Sequence, residues 1–207
     1  LEGKDIHRYF INPIEKYVNI EKIDIKTQEW HFSKKIILQR IVGQNKNKIF
    51  ATYDDKNFII FPNANLVNCK VLESDIKVFL AILNSSLINY FYNVYYGESN
   101  TNITKAAFEN LPLVDIKENE QVQLIKLVDS MLDLTKQLQS AKHNFFNELH
   151  LEKIPQKLQN FEALEFDELV KEYTRAAKIK FANKLEERNF KNDWSALFEN
   201  DKKVVLD

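Results

Sequence analysis

Leu124, Ile125, Val128, Met131, Leu132, Leu138 and Phe145 recur at three- and four-residue steps, with no proline or glycine to interrupt them. Such a stripe cannot alternate across a strand. It predicts one amphipathic helix of about seven turns, over residues 121–149. Pro155 breaks the pattern. Phe166, Leu169, Val170, Tyr173, Ala176, Ala177, Phe181 and Leu185 then form a second stripe. Two long stripes joined by a short break predict an antiparallel helical pair with Leu124, Val128, Leu138 and Phe181 buried. Thr135 and Lys142 interrupt the first stripe too often for a long self-associating coiled coil.

The first third of the chain has a different period. Lys35–Val42 is a β-branched run ended by Gly43 and the polar turn Gln44-Asn45-Lys46-Asn47, and Lys48–Tyr53 reads as a second strand. Together they predict a hairpin with a basic tip. A polar turn at 54–57, an apolar stretch at 58–61 and a further strand from Leu66 to Leu72 follow. At Ser74, a good N-cap with Asp75 in the first turn, the period changes again. Ile76, Phe79, Leu80, Leu83, Leu87, Ile88 and Phe91 then predict one helix over about 75–94, ending near Gly97. A polar loop through Asn102 and a short helix from about Thr104 lead to Leu111-Pro112. The fold class is therefore α+β: a strand-rich domain with a packed helix over residues 1–115, and a two-helix antiparallel spacer over 116–207, of the kind that also serves dimerisation.

Composition excludes several functions. Three glycines are too few and too scattered for the Gly-rich turn that cradles a nucleotide-like cofactor. No Asn-Pro-Pro-aromatic segment is present to hold a flipped adenine, and there is no P-loop. The acidic-x-Lys pattern of metal-dependent nucleases occurs at Glu2, Asp24, Asp54, Asp75, Asp115 and Asp201, scarcely more often than chance gives in a chain so rich in both types. His143 and His150 lie seven apart, without the four-residue spacing with which one helix grips zinc. Neither catalytic nor metal-ligating residues are expected, and no cofactor. Cys69, the one cysteine, reads as a small buried side chain in a protein of a reducing compartment. With no signal pattern and no membrane-length apolar run, the reading is a soluble, cytoplasmic protein. The absent start methionine and the end at Leu206-Asp207 predict a piece excised from something larger.

Formal net charge is −1, so an interaction with nucleic acid must be local. Ser33–Tyr53 contains Lys34, Lys35, Arg40, Lys46 and Lys48 and no acidic residue. Five cations on a hairpin could follow a DNA backbone, each neutralised phosphate releasing counterions. Asn100, Thr101 and Asn102 offer groups able to read base edges, with Lys105 close behind, although such loops also serve as helix connectors.

Four segments, in order, resemble the TaqI-like C-terminal specificity domain of type IIG restriction enzymes and adenine methyltransferases. Gly3-Lys4-Asp5-Ile6-His7-Arg8-Tyr9 resembles its Gly-x-Asp-Ile-x-Arg-Tyr entry, and Lys35–Arg40 its strand ending in Arg. Leu83-Asn84-Ser85-Ser86-Leu87-Ile88-Asn89-Tyr90 resembles its Leu-Asn-Ser helix. Leu111-Pro112-Leu113, followed by Glu120-Gln121 and Ile125, resembles its exit into a spacer helix, which recurs in type I restriction specificity subunits. Asp193–Glu199 is similar to a Trp-x-x-x-Phe tail found beyond this domain. Leu113-Val114 departs from the usual Ile/Leu-Pro, and a final Tyr-rich helix is missing. The resemblance implies a sequence-specific double-stranded DNA recognition domain. Its partner would be an S-adenosylmethionine-dependent adenine-N6 methyltransferase domain of the same or another chain, often with a nuclease. Arg8 and Tyr9 stay open between anchoring the domain to a neighbour and touching DNA. The alternative reading is a protein-interaction module that docks through its helical pair, its front half serving as scaffold.

Overall fold

The computed structural model of the chain describes residues 1–14, 17–43, 45–68, 73–97 and 102–206. Its strands are β1 (Ile6–His7), β2 (Phe10–Ile11), β3 (Lys35–Gln39), β4 (Ala51–Asp54) and β5 (Ala64–Val67). Its helices are α1 (Ile25–His31), α2 (Glu73–Leu83), α3 (Ser86–Tyr96), α4 (Lys105–Glu109), α5 (Glu118–Glu148), α6 (Phe166–Ala177) and α7 (Lys184–Leu206). The fold is α+β, and its packing divides into two compact units, Leu1–Asp133 and Leu134–Asp207. None of the helices among the described residues is long and apolar enough to cross a membrane.

The first unit is built around β3, the centre of an antiparallel sheet ordered β4-β3-β5. Its side chains alternate between two apolar clusters, as the period of a strand requires. Ile36 and Leu38 join Ile49, Ala51, Ile76, Leu80, Leu83, Ile88 and Tyr92 on one face, while Ile37 meets Leu1, Ile6 and Ala64 on the other. Burial on both faces explains why this strand reads as a continuous apolar run rather than an alternating one. Two residues of α5, Val128 and Leu132, seal the α2–α3 side.

Several sequence expectations change in detail. The hairpin strands are shorter than their apolar runs: the β3–β4 ladder pairs Lys35 with Asp54 through Leu38 with Ala51, and residues 40–50 form a broad connection. The helix expected over 75–94 is two helices, broken at Asn84-Ser85. Ser85 Oγ accepts the Ile88 N–H (3.2 Å) as the N-cap of α3, a local bond that competes with helix continuation. Ser74, expected to cap the first of them, lies inside α2. The further strand is Ala64–Val67, with residues 69–72, and with them Cys69, outside the described residues.

The second unit packs the C-terminal end of α5, a 3-10 segment over Leu158–Ala163, α6 and α7 around Phe145, Leu149, Leu158, Phe161, Leu169, Tyr173 and Phe198. Phe145 and Phe161 stack at 3.9 Å between ring centroids, and Phe161 meets Phe198 edge-on at 6.4 Å. The stripe expected as one helix over 166–185 is interrupted. Lys178 turns left-handed (φ 57°, ψ 30°) and closes α6, so Phe181 falls in the link before α7. The simple helical pair is thus replaced by a cluster of four elements. Leu124, Leu138 and Phe181 are only partly buried, whereas Val128 is fully enclosed.

Candidate nucleic-acid interface

Of the five cations between Ser33 and Tyr53, the fold withdraws two. Lys35 has no exposed surface. Its ammonium pairs with Asp54 Oδ2 (2.6 Å), its register partner on β4, and donates to the His31 carbonyl (2.6 Å). A lysine so enclosed cannot reach a phosphate, and it leaves the set of DNA-contacting candidates. Lys48 is 5% exposed and spends its ammonium on the Gly43 carbonyl (2.6 Å), closing the connection from within. It too is a structural residue.

The remaining cations are exposed, but at opposite ends of the sheet. Lys34 precedes β3, whereas Arg40 follows it, roughly 20 Å along the strand at about 3.3 Å per residue. Arg40 shares its end of the sheet with most of the other candidates. Ile41 forms an antiparallel bridge with Asn102, and the Ile103 N–H donates to the Arg40 carbonyl (2.7 Å). Lys105, at the start of α4, is three residues beyond Asn102 and lies within ion-pair reach of Glu109 (3.5 Å). Arg40 Nη1 donates to the Pro62 carbonyl (3.0 Å), which keeps the guanidinium over the entry to β5. Lys46 is exposed on the 40–50 connection, its carbonyl taken by Asn93 of α3 (2.9 Å). The structure therefore gathers Arg40, Asn102 and Lys105 around the C-terminal end of β3, with Lys46 on the connection leading away from it. Asn100 and Thr101 lie outside the described residues.

What holds this end of the sheet is a set of asparagines on α2–α3 that sequence reasoning did not assign to any role. Asn84, 1% exposed, accepts the Ala51 N–H at Oδ1 (3.1 Å) and donates from Nδ2 to the Ala51 carbonyl (2.9 Å). Asn89 Oδ1 accepts from both Lys48 and Ile49 N–H groups (2.9 Å each). The helix pair thus satisfies the outer edge of β4 as a neighbouring strand would, which removes the cost of a buried unpaired backbone group. The Gly3–Tyr9 segment converges on the same place. The Tyr9 N–H donates to the Ala51 carbonyl (3.1 Å), Arg8 donates to the Asn84 carbonyl, and Gln39 Nε2 donates to the Ile6 carbonyl (2.6 Å). Gly3 carries no side chain because a Cβ there would collide with the Asn63 carbonyl. Arg8 therefore anchors inside the unit. The signal in the sequence was an asparagine on the core-facing side of an apolar helix, flanked by Ile88 and Tyr92.

Behind Lys35 stands His31, also buried. Its Nδ1 accepts the Ile60 N–H (3.3 Å), so the ring proton sits on Nε2. Burial holds the imidazole's pKa below its usual value, and the Lys35 charge adds to the effect against Asp54. Asp54 also caps the following turn, accepting from the Lys56 and Phe58 N–H groups (2.8 and 3.0 Å). Among the described residues, no three His, Cys, Asp or Glu side chains come together as a metal site.

No curated protein matches the chain. Residues 117–207 match a domain of unknown function (DUF8810). Residues 1–113 match the TaqI-like C-terminal specificity domain, and that match takes in the Gly3–Tyr9 entry, β3 with Arg40, and the Asn84-Ser85 junction that the hydrogen bonds tie together. The chain belongs to the TaqI-like C-terminal specificity domain family, the specificity module of restriction-modification enzymes.

Proposed function

We propose that residues 1–115 recognise a specific sequence in double-stranded DNA, and that residues 116–207 are the helical spacer connecting this domain to the rest of a bacterial restriction-modification enzyme. The observation that carries the reading is the family membership of residues 1–113 together with the exposed Arg40, Asn102 and Lys105 at one end of the sheet. Arg40, Lys46, Lys105 and, at the far end, Lys34 suit phosphate contact, while Asn102, with Asn100 and Thr101, suits base edges. In the parent enzyme, acting in the cytoplasm, an S-adenosylmethionine-dependent adenine-N6 methyltransferase domain supplies the chemistry, with or without a nuclease. The cofactor is expected in that domain, since the three scattered glycines of this chain are too few for the turn that cradles a nucleotide-like cofactor.

Docking on a protein partner has an observation of its own. Leu87, Tyr90, Val94 and Tyr95 of α3 are exposed, and no charged residue occurs between Ser85 and Gly97. An uncharged apolar helix face is the kind of surface that a neighbouring domain covers, and it complements the DNA reading by giving the methyltransferase domain a place to sit.

The test is fluorescence anisotropy of the 207-residue chain with labelled duplex DNA between 20 and 200 mM salt. Half the clamp around the duplex is expected from the partner domain, so affinity near the micromolar range is expected, falling as salt rises. Binding that ignores salt, or none even at the lowest salt, rejects the DNA reading.

A further inference from the structure

The bridge between Ile41 and Asn102 fixes more than backbone position. Residues directly opposite in an antiparallel pair carry their side chains on the same face, with Cβ atoms about 5 Å apart. The next residue on each side faces the other way: Val42 is 3% and Ile103 1% exposed, both in the core cluster. Ile41 and Asn102 therefore point outward together, and Ile41 is 57% exposed, a large apolar side chain set between Arg40 and an amide. The backbone beneath them is held on several sides. Tyr92 donates its hydroxyl to the Asn102 carbonyl (3.4 Å), Asn65 donates to the Ile103 carbonyl (3.1 Å), and Arg40 is held at Pro62. Two side chains of unlike chemistry are thus displayed at a fixed spacing from a rigid base.

We propose that Ile41 and Asn102 together read a single A·T base pair from the major groove. The inference rests on the DNA reading above and adds which pair is read and by what. In the major groove an A·T pair shows adenine N7 as an acceptor, adenine N6 as a donor and the thymine C5-methyl as an apolar knob. The Asn102 amide can donate to N7 and accept from N6, while Ile41 packs on the methyl of the paired thymine. A G·C pair offers neither a donor beside N7 nor a methyl, so it would leave the amide half unpaired and the isoleucine against a polar edge.

The experiment uses the 207-residue chain and a duplex pool with twelve randomised base pairs, made once with thymine and once with uracil, which lacks only the methyl group. The selected duplexes should share at least one fixed A·T pair. Replacing its thymine by uracil should weaken wild-type binding about fourfold, the equivalent of exposing one buried methyl group. Ile41→Ala should bind the thymine and uracil duplexes alike, and Asn102→Ala should relax the adenine preference at that pair by about tenfold or more. Both positions are exposed, and a urea melt at the wild-type midpoint confirms that each variant is folded. Salt-dependent binding without a fixed A·T pair overturns this inference and leaves the DNA reading intact, and so does continued discrimination of thymine from uracil by Ile41→Ala. Absence of any salt-dependent binding removes both.

Discussion

Two lysines eleven positions apart in a basic stretch have opposite fates, and mutation should separate them. Lys35→Ala strands Asp54 as a buried charge without its partner and should cost about 3–5 kcal/mol in urea unfolding. Lys46→Ala, on an exposed turn, should change stability by no more than about 0.5 kcal/mol. It should instead weaken binding equally on every duplex and lower the salt slope by about one unit. The sequence placed Lys35 at the head of a strand and Lys46 in the turn, but both still read as cations of one basic hairpin, because a strand position alone does not say that its lysine is buried. The distinguishing fact is that Lys35 faces Asp54 across the ladder, a pairing of residues 19 positions apart in sequence. His31 gives a second test at this scale. Its folded pKa lies below the value of about 6.5 expected when unfolded. Below that pH the unfolded chain takes up a proton that the folded chain refuses, so this contribution is present above pH 6.5 and is lost as pH falls through the folded pKa. Protonation at Nδ1 would also break the bond from Ile60. Stability should fall from pH 7 to pH 5 in the wild type, and His31→Gln should flatten part of that slope.

Elements were more legible than their ends. The long helix α5, the short α4 behind Thr104 and the α3 terminus near Gly97 all follow from spacing, caps and breakers that act locally. The breaks at Asn84-Ser85 and Lys178 were hidden because the apolar stripes run through them at unchanged spacing. In the first case long-range bonds to Ala51 reward the interruption. In the second a lysine occupies a left-handed position usually given to glycine, a choice that local propensity would not make. Lys178→Gly should therefore relieve backbone strain and raise the thermal midpoint, by up to about 1 kcal/mol in stability. A decrease would mean that the lysine side chain contributes more than its backbone costs.

At the scale of the whole molecule, the α+β class and the family were readable in the sequence because four short motifs kept their order along the chain. The hydrogen bonds of the first unit give that order a physical reason, since the entry segment, β4 and the Asn84 junction must meet at Ala51. The convergence of Arg40 with Asn102 was not readable, because a single bridge closes 61 residues of chain. One further consequence concerns how such a module can change its target. The 40–50 connection is fastened at both ends, by the β3–β4 ladder on one side and by Asn89 holding Lys48 and Ile49 on the other. Between these fastenings the connection is held through backbone carbonyls, Gly43 by Lys48 and Lys46 by Asn93, so its exposed side chains can drift in sequence while the scaffold stays under selection. Doubling a loop of this kind costs only about 0.6 kcal/mol in closure entropy. Inserting four residues after Asn45 should therefore leave the urea midpoint almost unmoved while altering which duplexes are bound. A lineage carrying this fold could then acquire new specificities through a handful of codons, with no intermediate that fails to fold.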